Sequence, residues 1–245
     1  MCIVFVIIRR NEVKNTRGKE IASVSAIEKF INGIEVIVSD TDQYLQINDI
    51  SGSDLEKIWG IILNDYARYK KWICYHNYTD IPFALLDEIG ANLEDDCIEM
   101  RLNADDFIYT EVFGVVRINE EDFDEFASYH RKCNPDSGAQ PERIQRNLSS
   151  WAIFALFSGD KITDYVILFM GNSAQAEIFC VEASDSIKCE KLIAFAAKFA
   201  FDSGKKEVLY MADENMITHK AALSAGFAVT GFYKGYEITR VIGYV

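Results

Sequence analysis

The sequence predicts an α+β fold, a mixed β-sheet flanked by helices, and three features of the second half carry that expectation. Apolar strand-like runs are joined there by short glycine-containing turns. A long segment with the period of one buried helix face follows them. A short strand, a short helix and a returning strand then close the succession. A chain of 245 residues suits one large domain or two small ones. With 49% hydrophobic and 26% charged residues it can bury a core, and long disordered stretches are not expected.

Taken in order, Met1 to Ile8 reads as an opening strand. Leu55, Ile58, Trp59, Ile62 and Tyr66 recur at helical spacing. Trp72 to His76 reads as a strand, and Pro82 to Ile89 as a helix with proline in its first turn and Gly90 at its end. Cys97 to Leu102 is again strand. In the second half Phe113 to Ile118 reads as a strand, followed by helices over Asp122 to Arg131 and Glu142 to Ser149. The strands Trp151 to Phe157, Tyr165 to Met170 and Ala176 to Val181 come next, the first two ending in Ser158-Gly159-Asp160-Lys161 and Gly171-Asn172-Ser173. Leu192, Phe195, Ala196 and Phe199 mark the long helix, with Ser184, Asp185 and Ser186 as cap candidates and Gly204 as its stop. Val208 to Met211 is a strand, Asn215 to Ala225 a helix closed by Gly226, and Phe227 to Ile238 the returning strand.

Trp72 to Gly90 and Val208 to Gly226 span the same 18 positions with the same succession of elements. This points to an internal duplication, with a degenerate half at 1–110 and a fuller half at 111–245. The clearest loop, Asn134 to Pro141, lies inside the second half, and no low-complexity linker separates the two.

The net charge is −13 and basic clusters are short, Arg9-Arg10 and Lys205-Lys206 among them, so a nucleic-acid partner is not expected. Arg131, Lys132, Arg143 and Arg146 make one stretch locally basic. No run is long enough to span a bilayer, and Arg9-Arg10 follows the apolar start, the wrong order for a signal peptide. The six cysteines form no CxxC pair and no histidine lies near them at ligand spacing. No metal site is expected, and free thiols in the cytoplasm are the reading. The scattered His76, His130 and His219 read as structural or surface residues.

The stretch from Trp151 to Ile238 resembles the GNAT superfamily of acyl-CoA-dependent N-acyltransferases. The resemblance rests on the order of elements and on Asn215-Met216-Ile217-Thr218-His219-Lys220-Ala221-Ala222-Leu223-Ser224-Ala225-Gly226-Phe227, where asparagine and Gly-Phe stand at the family's separation. Glu177-Ile178 before Val181 is similar to the family's fourth strand, and the first half looks like a truncated copy, as in tandem members. The resemblance implies acetyl-CoA as co-substrate and a small-molecule or peptide amine as acceptor. It implies pantetheine bonded by backbone around Cys180 and Val181, phosphates near Ser186 and Lys188, and Asn215 in the cofactor motif. It also implies Glu177, and after it Glu182, as the base that takes the amine's proton.

Two positions depart from the family pattern. The phosphate loop, normally Q/R-x-x-G-x-G/A, is here Ala183-Ser184-Asp185-Ser186-Ile187-Lys188 with no glycine. The usual tyrosine acid falls at Ala222, leaving Tyr233 and Tyr236 as downstream substitutes. Three readings stand: an acetyltransferase, an inactive GNAT-like module that binds an acyl-CoA, peptide or protein, and a fold whose pocket has drifted to another small molecule.

Overall fold

The computed structural model describes residues 26–40, 43–77, 80–109, 111–135, 139–171, 174–214 and 216–238. The expected opening strand at Met1 to Ile8 and the motif residue Asn215 lie outside them. The chain folds as two compact units, one from Cys97 to Gly231 and one from 26–96 together with 232–238.

The second of these begins with β1 (Ala26–Ile31), β2 (Ile34–Ser39) and β3 (Tyr44–Asn48), which pair antiparallel in succession. After α1 (Gly52–Asp65) the chain returns as β4 (Lys70–His76), parallel to β3. The crossover is needed because parallel neighbours cannot be joined by a tight turn. Ser51 caps α1 by accepting the Asp54 N–H at 3.2 Å. Leu55, Ile58, Trp59 and Ile62 form its buried face and pack on Val36, Val38, Leu45, Ile47 and Ile73. The helix α2 (Phe83–Glu88) leads to β5 (Ala91–Asn103). The C-terminal part of β11 (Ala228–Ile238) pairs antiparallel with β4, Tyr233 opposite His76.

The first three strands were not anticipated, although a signal for them exists. Asn32-Gly33 lies between the apolar runs of β1 and β2 with φ of 49° and 83°. Two consecutive left-handed residues are what a tight hairpin turn requires, and Asn-Gly meets that need at little cost.

The Cys97–Gly231 unit is a mixed sheet with the order β5-β10-β9-β8-β7-β6, the beginning of β11 lying beside β5. Its strands are β6 (Val116–Arg117), β7 (Trp151–Ser158), β8 (Lys161–Phe169), β9 (Gln175–Glu182) and β10 (Glu207–Asp213). The helices are α3 (Phe123–Cys133), α4 (Pro141–Arg146), α5 (Ser186–Asp202) and α6 (Ile217–Ser224). As expected, β9 and β10 share one sheet and are joined through α5; they run parallel. On one sheet face Ala152, Phe154, Val166, Leu168, Ile178 and Val208 pack with Leu192, Ile193, Ala196 and Ala200 of α5 and with Ala221 and Ala222 of α6. The other face carries α3, whose Phe126 and His130 meet the ring of Tyr165 on β8.

Some expected elements are shorter. Only Val116–Arg117 pairs as β6, because Gly114 turns the chain with φ of 85° and Phe113 before it is exposed. The helix foreseen over Glu142 to Ser149 ends at Arg146 and tightens into a 3-10 turn at Leu148–Ser150. Among the described residues Cys74, Cys133, Cys180 and Cys189 are free thiols.

Gly226 ends α6 with φ of 94°, and the N–H of Phe227 reaches the Ala222 carbonyl at 3.0 Å. A Cβ there would meet only Leu102 Cδ1, at an ordinary 3.6 Å, so the conformation alone demands glycine. Gly226→Ala should cost about 1–2 kcal/mol and Gly226→Asn clearly less, read as denaturant midpoints at constant m.

Candidate active site

The ladder between β9 and β10 runs from Gln175 opposite Glu207 to Ile178 opposite Tyr210 and goes no further. Both strands continue, β9 to Glu182 and β10 to Asp213. Their facing edges therefore open beyond Ile178, and backbone groups of Cys180 and Val181 border the opening. The cause is visible on the other edge of β9. Ile167 pairs with Cys180 while Leu168 pairs with Ile178, so Phe179 is an extra, bulged residue. A bulge bends its strand and breaks the alternation of side chains. Ile178 and Val181 stay on the α5 side, whereas Phe179 meets Trp151 and Cys180 interacts with Tyr165 on the α3 side.

Glu177 lies one rung before the opening, on the α3 and α4 side. Its partners across the sheet are Leu209 on β10 and Phe169 on β8. Only 6% of it is exposed, and burial among apolar neighbours pushes its carboxyl up to about 8, opposed by the positive charge of Arg143. Glu182, at the end of β9, is half-buried and accepts a hydrogen bond from Asn134 Nδ2 at 3.2 Å. The same nitrogen reaches the Tyr165 hydroxyl at 2.7 Å, and His130 Nδ1 meets that hydroxyl at 2.6 Å. Burial holds His130 down to about 4, so its imidazole is neutral around pH 7 and serves this network rather than carrying charge. Burial also raises the Cys180 thiol to about 12, which keeps it protonated and poorly nucleophilic.

The start of α5 is closed by the chain's own groups. Asp185 caps it by accepting the Lys188 N–H at 2.9 Å. Lys188 Nζ bonds Asp164 Oδ2 at 3.0 Å and Ser184 Oγ at 2.8 Å. Asp164 also accepts the Ser184 N–H at 2.6 Å and the Thr163 hydroxyl at 2.6 Å. Burial alone would raise the Asp164 carboxyl, but these hydrogen bonds outweigh it and hold the group below its ordinary range. Ser186 is exposed on the first turn, with Ile187 beside it 66% exposed. Ala222 is fully buried in the core between α5 and α6 and presents no hydroxyl.

Of the residues singled out from sequence, Glu177, Cys180, Val181 and Glu182 thus gather on β9 at or beside the opening. Ser186 and Lys188 lie at the helix that follows. The sequence reading passed over Asp164, Phe179 and the role of Arg143, whose guanidinium carbon lies 6.0 Å from the Phe179 ring centre. Among the described residues no group of three or more His, Cys, Asp or Glu side chains could hold a metal ion. No helix there is long and apolar enough to cross a membrane.

Asp164 ties β8 to the start of α5. Its carboxyl is depressed in the fold, so its stabilisation is present above the unfolded pKa and is lost as pH falls through the folded one. Asp164→Asn should cost roughly 1–3 kcal/mol at pH 7 and flatten the acid side of a thermal stability profile, the gap to the parent narrowing below pH 4.

No protein-family model matches the sequence, and no curated protein matches it. Solved structures are similar in fold. A GCN5-related N-acetyltransferase from Kribbella flavida superposes with TM-score 0.63 at 11% identity, over 88% of this chain and 90% of that one. The Saccharomyces cerevisiae N-myristoyltransferase with bound myristoyl-CoA and inhibitors gives TM-score 0.53 at 11% identity, over 87% of this chain and 63% of that one. A tandem GNAT protein from the clavulanic acid biosynthesis pathway gives 0.50 at 10% identity, over 83% and 77%. The opening between β9 and β10, the crossover through α5 and these superpositions establish that the chain has the fold of the GCN5-related N-acetyltransferases.

Proposed function

We propose that the chain is a GNAT-type N-acyltransferase that moves an acetyl group from acetyl-CoA to an amine. The observation that carries this reading is a buried, titratable carboxyl, Glu177, one rung from the place where β9 and β10 part. The parted strand edges offer backbone donors and acceptors to an extended pantetheine, as an edge strand does to an added one. The amine nitrogen attacks the thioester carbonyl, the new C–N bond forms, and the C–S bond breaks to release the thiolate. Glu177 in its carboxylate form takes the proton lost by the amine. A base with pKa near 8 is well matched to this task close to neutral pH. Glu182 is the second candidate, held by Asn134 at the far end of the opening. Tyr233 and Tyr236 belong to the other compact unit and take no part in this reading.

The chain's two halves are read as descendants of one GNAT-like unit. Each unit has a parallel strand pair joined through a helix, β3–α1–β4 in one and β9–α5–β10 in the other. Each continues into a short helix followed by a positive-φ glycine, Gly90 at 71° and Gly226 at 94°.

One set of observations favours a second reading, an inactive module that binds a different ligand. The start of α5 already holds the Asp185 carboxylate, Asp164 neutralises Lys188, and position 222 carries no acid. Asp185→Asn separates the two readings, because asparagine keeps the capping oxygen and removes the charge. For an acetyl-CoA protein, calorimetry should show severalfold tighter binding in the variant, and the gain should shrink at high salt. No acetyl-CoA binding to either form would remove the CoA reading.

Glu177 makes a prediction in which activity and stability diverge. Thiol release from acetyl-CoA with an accepted amine should rise with pH through about 8 and then level. Glu177→Gln should lose that limb and run about 10²-fold or more slower at pH 7.5. The raised carboxyl stabilises the fold below its unfolded pKa, and that contribution is lost as pH rises through the folded one. The same variant should therefore melt higher than the parent at pH 9, by roughly 1–3 kcal/mol, and differ little at pH 4. Full activity in Glu177→Gln at pH 7.5 would exclude it as the base.

A further inference from the structure

Where β6 leaves β7, the edge of the sheet opens into a cavity that the acyltransferase reading does not use. β6 pairs through Val116 and Arg117, and Ile118 adds a last bond, its N–H meeting the Ile153 carbonyl at 2.9 Å. The chain then turns away. Asn119 Oδ1 accepts the N–H groups of Glu121 and Asp122 at 2.8 and 3.0 Å and steers the backbone into α3. Between the parted strands, the start of α3 and the turn at Leu148 lies a pocket of about 450 Å³, a size that suits a small organic molecule.

The pocket walls are apolar and aromatic. Ile118, Phe123, Trp151 and Ile153 line it and are all buried, while Leu148 is 37% exposed at its mouth. Two charged residues also line it, and they are not equivalent. Arg117 stands opposite Phe154, and its guanidinium carbon lies 5.0 Å from the Phe199 ring of α5. Its charge is thus drawn to the α5 face, whereas Phe123 and Trp151 lie on the α3 face. Glu120 is exposed and has no hydrogen-bond or ion-pair partner among the described residues. Glu121, Asp122 and Asp124 follow it, so the mouth lies against a negative stretch of chain.

We infer that this pocket binds an aromatic organic cation, a free small molecule whose ring lies against Phe123 and Trp151 and whose ammonium stands at Glu120. The ring would gain the dispersion contacts that the open walls lack. The ammonium would meet the carboxylate of Glu120 and is further favoured by the π-face of an indole. An anion of the same shape would be repelled by the acidic stretch. The pocket is a second site, separate from the opening. Trp151, Phe169 and Glu177 occupy successive strands in one row, and the Trp151 and Phe169 rings, 4.7 Å apart, close the way between pocket and Glu177.

The experiment is calorimetry on the whole chain without acyl donor, with benzyltrimethylammonium as the probe. This cation has no N–H and cannot accept an acyl group, so its binding reports on the pocket alone. It should bind with sub-millimolar Kd. Tetramethylammonium, which lacks the ring, benzyl alcohol, which lacks the charge, and phenylacetate, which reverses it, should each bind at least tenfold more weakly. Glu120→Gln should weaken the probe fivefold or more, and Leu148→Trp should do so by filling the mouth. Glu177→Gln should leave the Kd unchanged. No binding of the probe, equal binding of benzyl alcohol, or an undiminished Kd in Glu120→Gln would each overturn the inference. So would loss of binding in Glu177→Gln, because the cation would then sit at the opening. The comparison among probes uses the unaltered protein, so it decides even if a variant fails to fold. Thiol release from acetyl-CoA tests the acyltransferase reading independently, and its absence would leave this pocket standing.

Discussion

One extra residue on β9 governs the geometry of the candidate site. Up to Ile178 the strand is held on both edges, by β8 and by β10. At Phe179 the register with β8 slips by one, the strand bends, and the ladder to β10 ends. Without the slip, side chains would alternate strictly along β9 and Cys180 would point into the α5 core. With it, Glu177, Phe179, Cys180 and Glu182 share one face, and the strand edge is left open for a ligand. Sheet continuity is given up locally, and α5 and α6 sustain the opening by packing on the opposite face.

Two buried carboxyls in the same unit show how environment sets charge. Asp164 and Glu177 are both nearly inaccessible. Asp164 receives the Ser184 N–H, the Thr163 hydroxyl and the Lys188 ammonium, and remains ionised below the ordinary range. Glu177 lies between Leu209 and Phe169 in the sheet, with only the more distant Arg143 to favour its charge, and its pKa rises to about 8. The first is a fastener, because its energy is already committed to fixed partners. The second holds its bonding capacity in reserve, a disposition that suits chemistry better than stability.

The start of α5 illustrates the same point in reverse. A helix N-terminus attracts an anion through its free N–H groups and dipole. Here the Asp185 carboxylate supplies that anion from within the chain, and Lys188 is turned toward Asp164. A glycine loop would leave both attractions available to a diphosphate. This arrangement stabilises the helix entry and weakens whatever hold the site has on phosphates. One set of donors serves both, and only the charge of Asp185, not its capping oxygen, is dispensable to the helix entry.

Local patterning carried most of the Cys97–Gly231 unit. The i, i+3, i+4, i+7 apolar recurrence at Leu192, Phe195, Ala196 and Phe199, the short turns between β7, β8 and β9, and Gly226 after α6 are short-range signals with direct physical causes. Asn32-Gly33 was equally legible, a two-residue turn signal between the short runs that become β1 and β2. Glu177 and Glu182 were nameable through resemblance to a known strand. Their environments were not, because a pKa depends on what lies across the sheet, and Leu209 and Phe169 are distant in sequence. The bulge at Phe179 left no mark in composition, since any residue can be the extra one. Arg143 read as one of four surface bases until the fold placed it over Phe179. The sequence by itself determined the periods, the turns and the residue types available for chemistry, all matters of neighbours along the chain. Strand register, the opening between β9 and β10 and the charge state of Glu177 were decided only in the tertiary structure, because each depends on contacts between segments that no local pattern brings together.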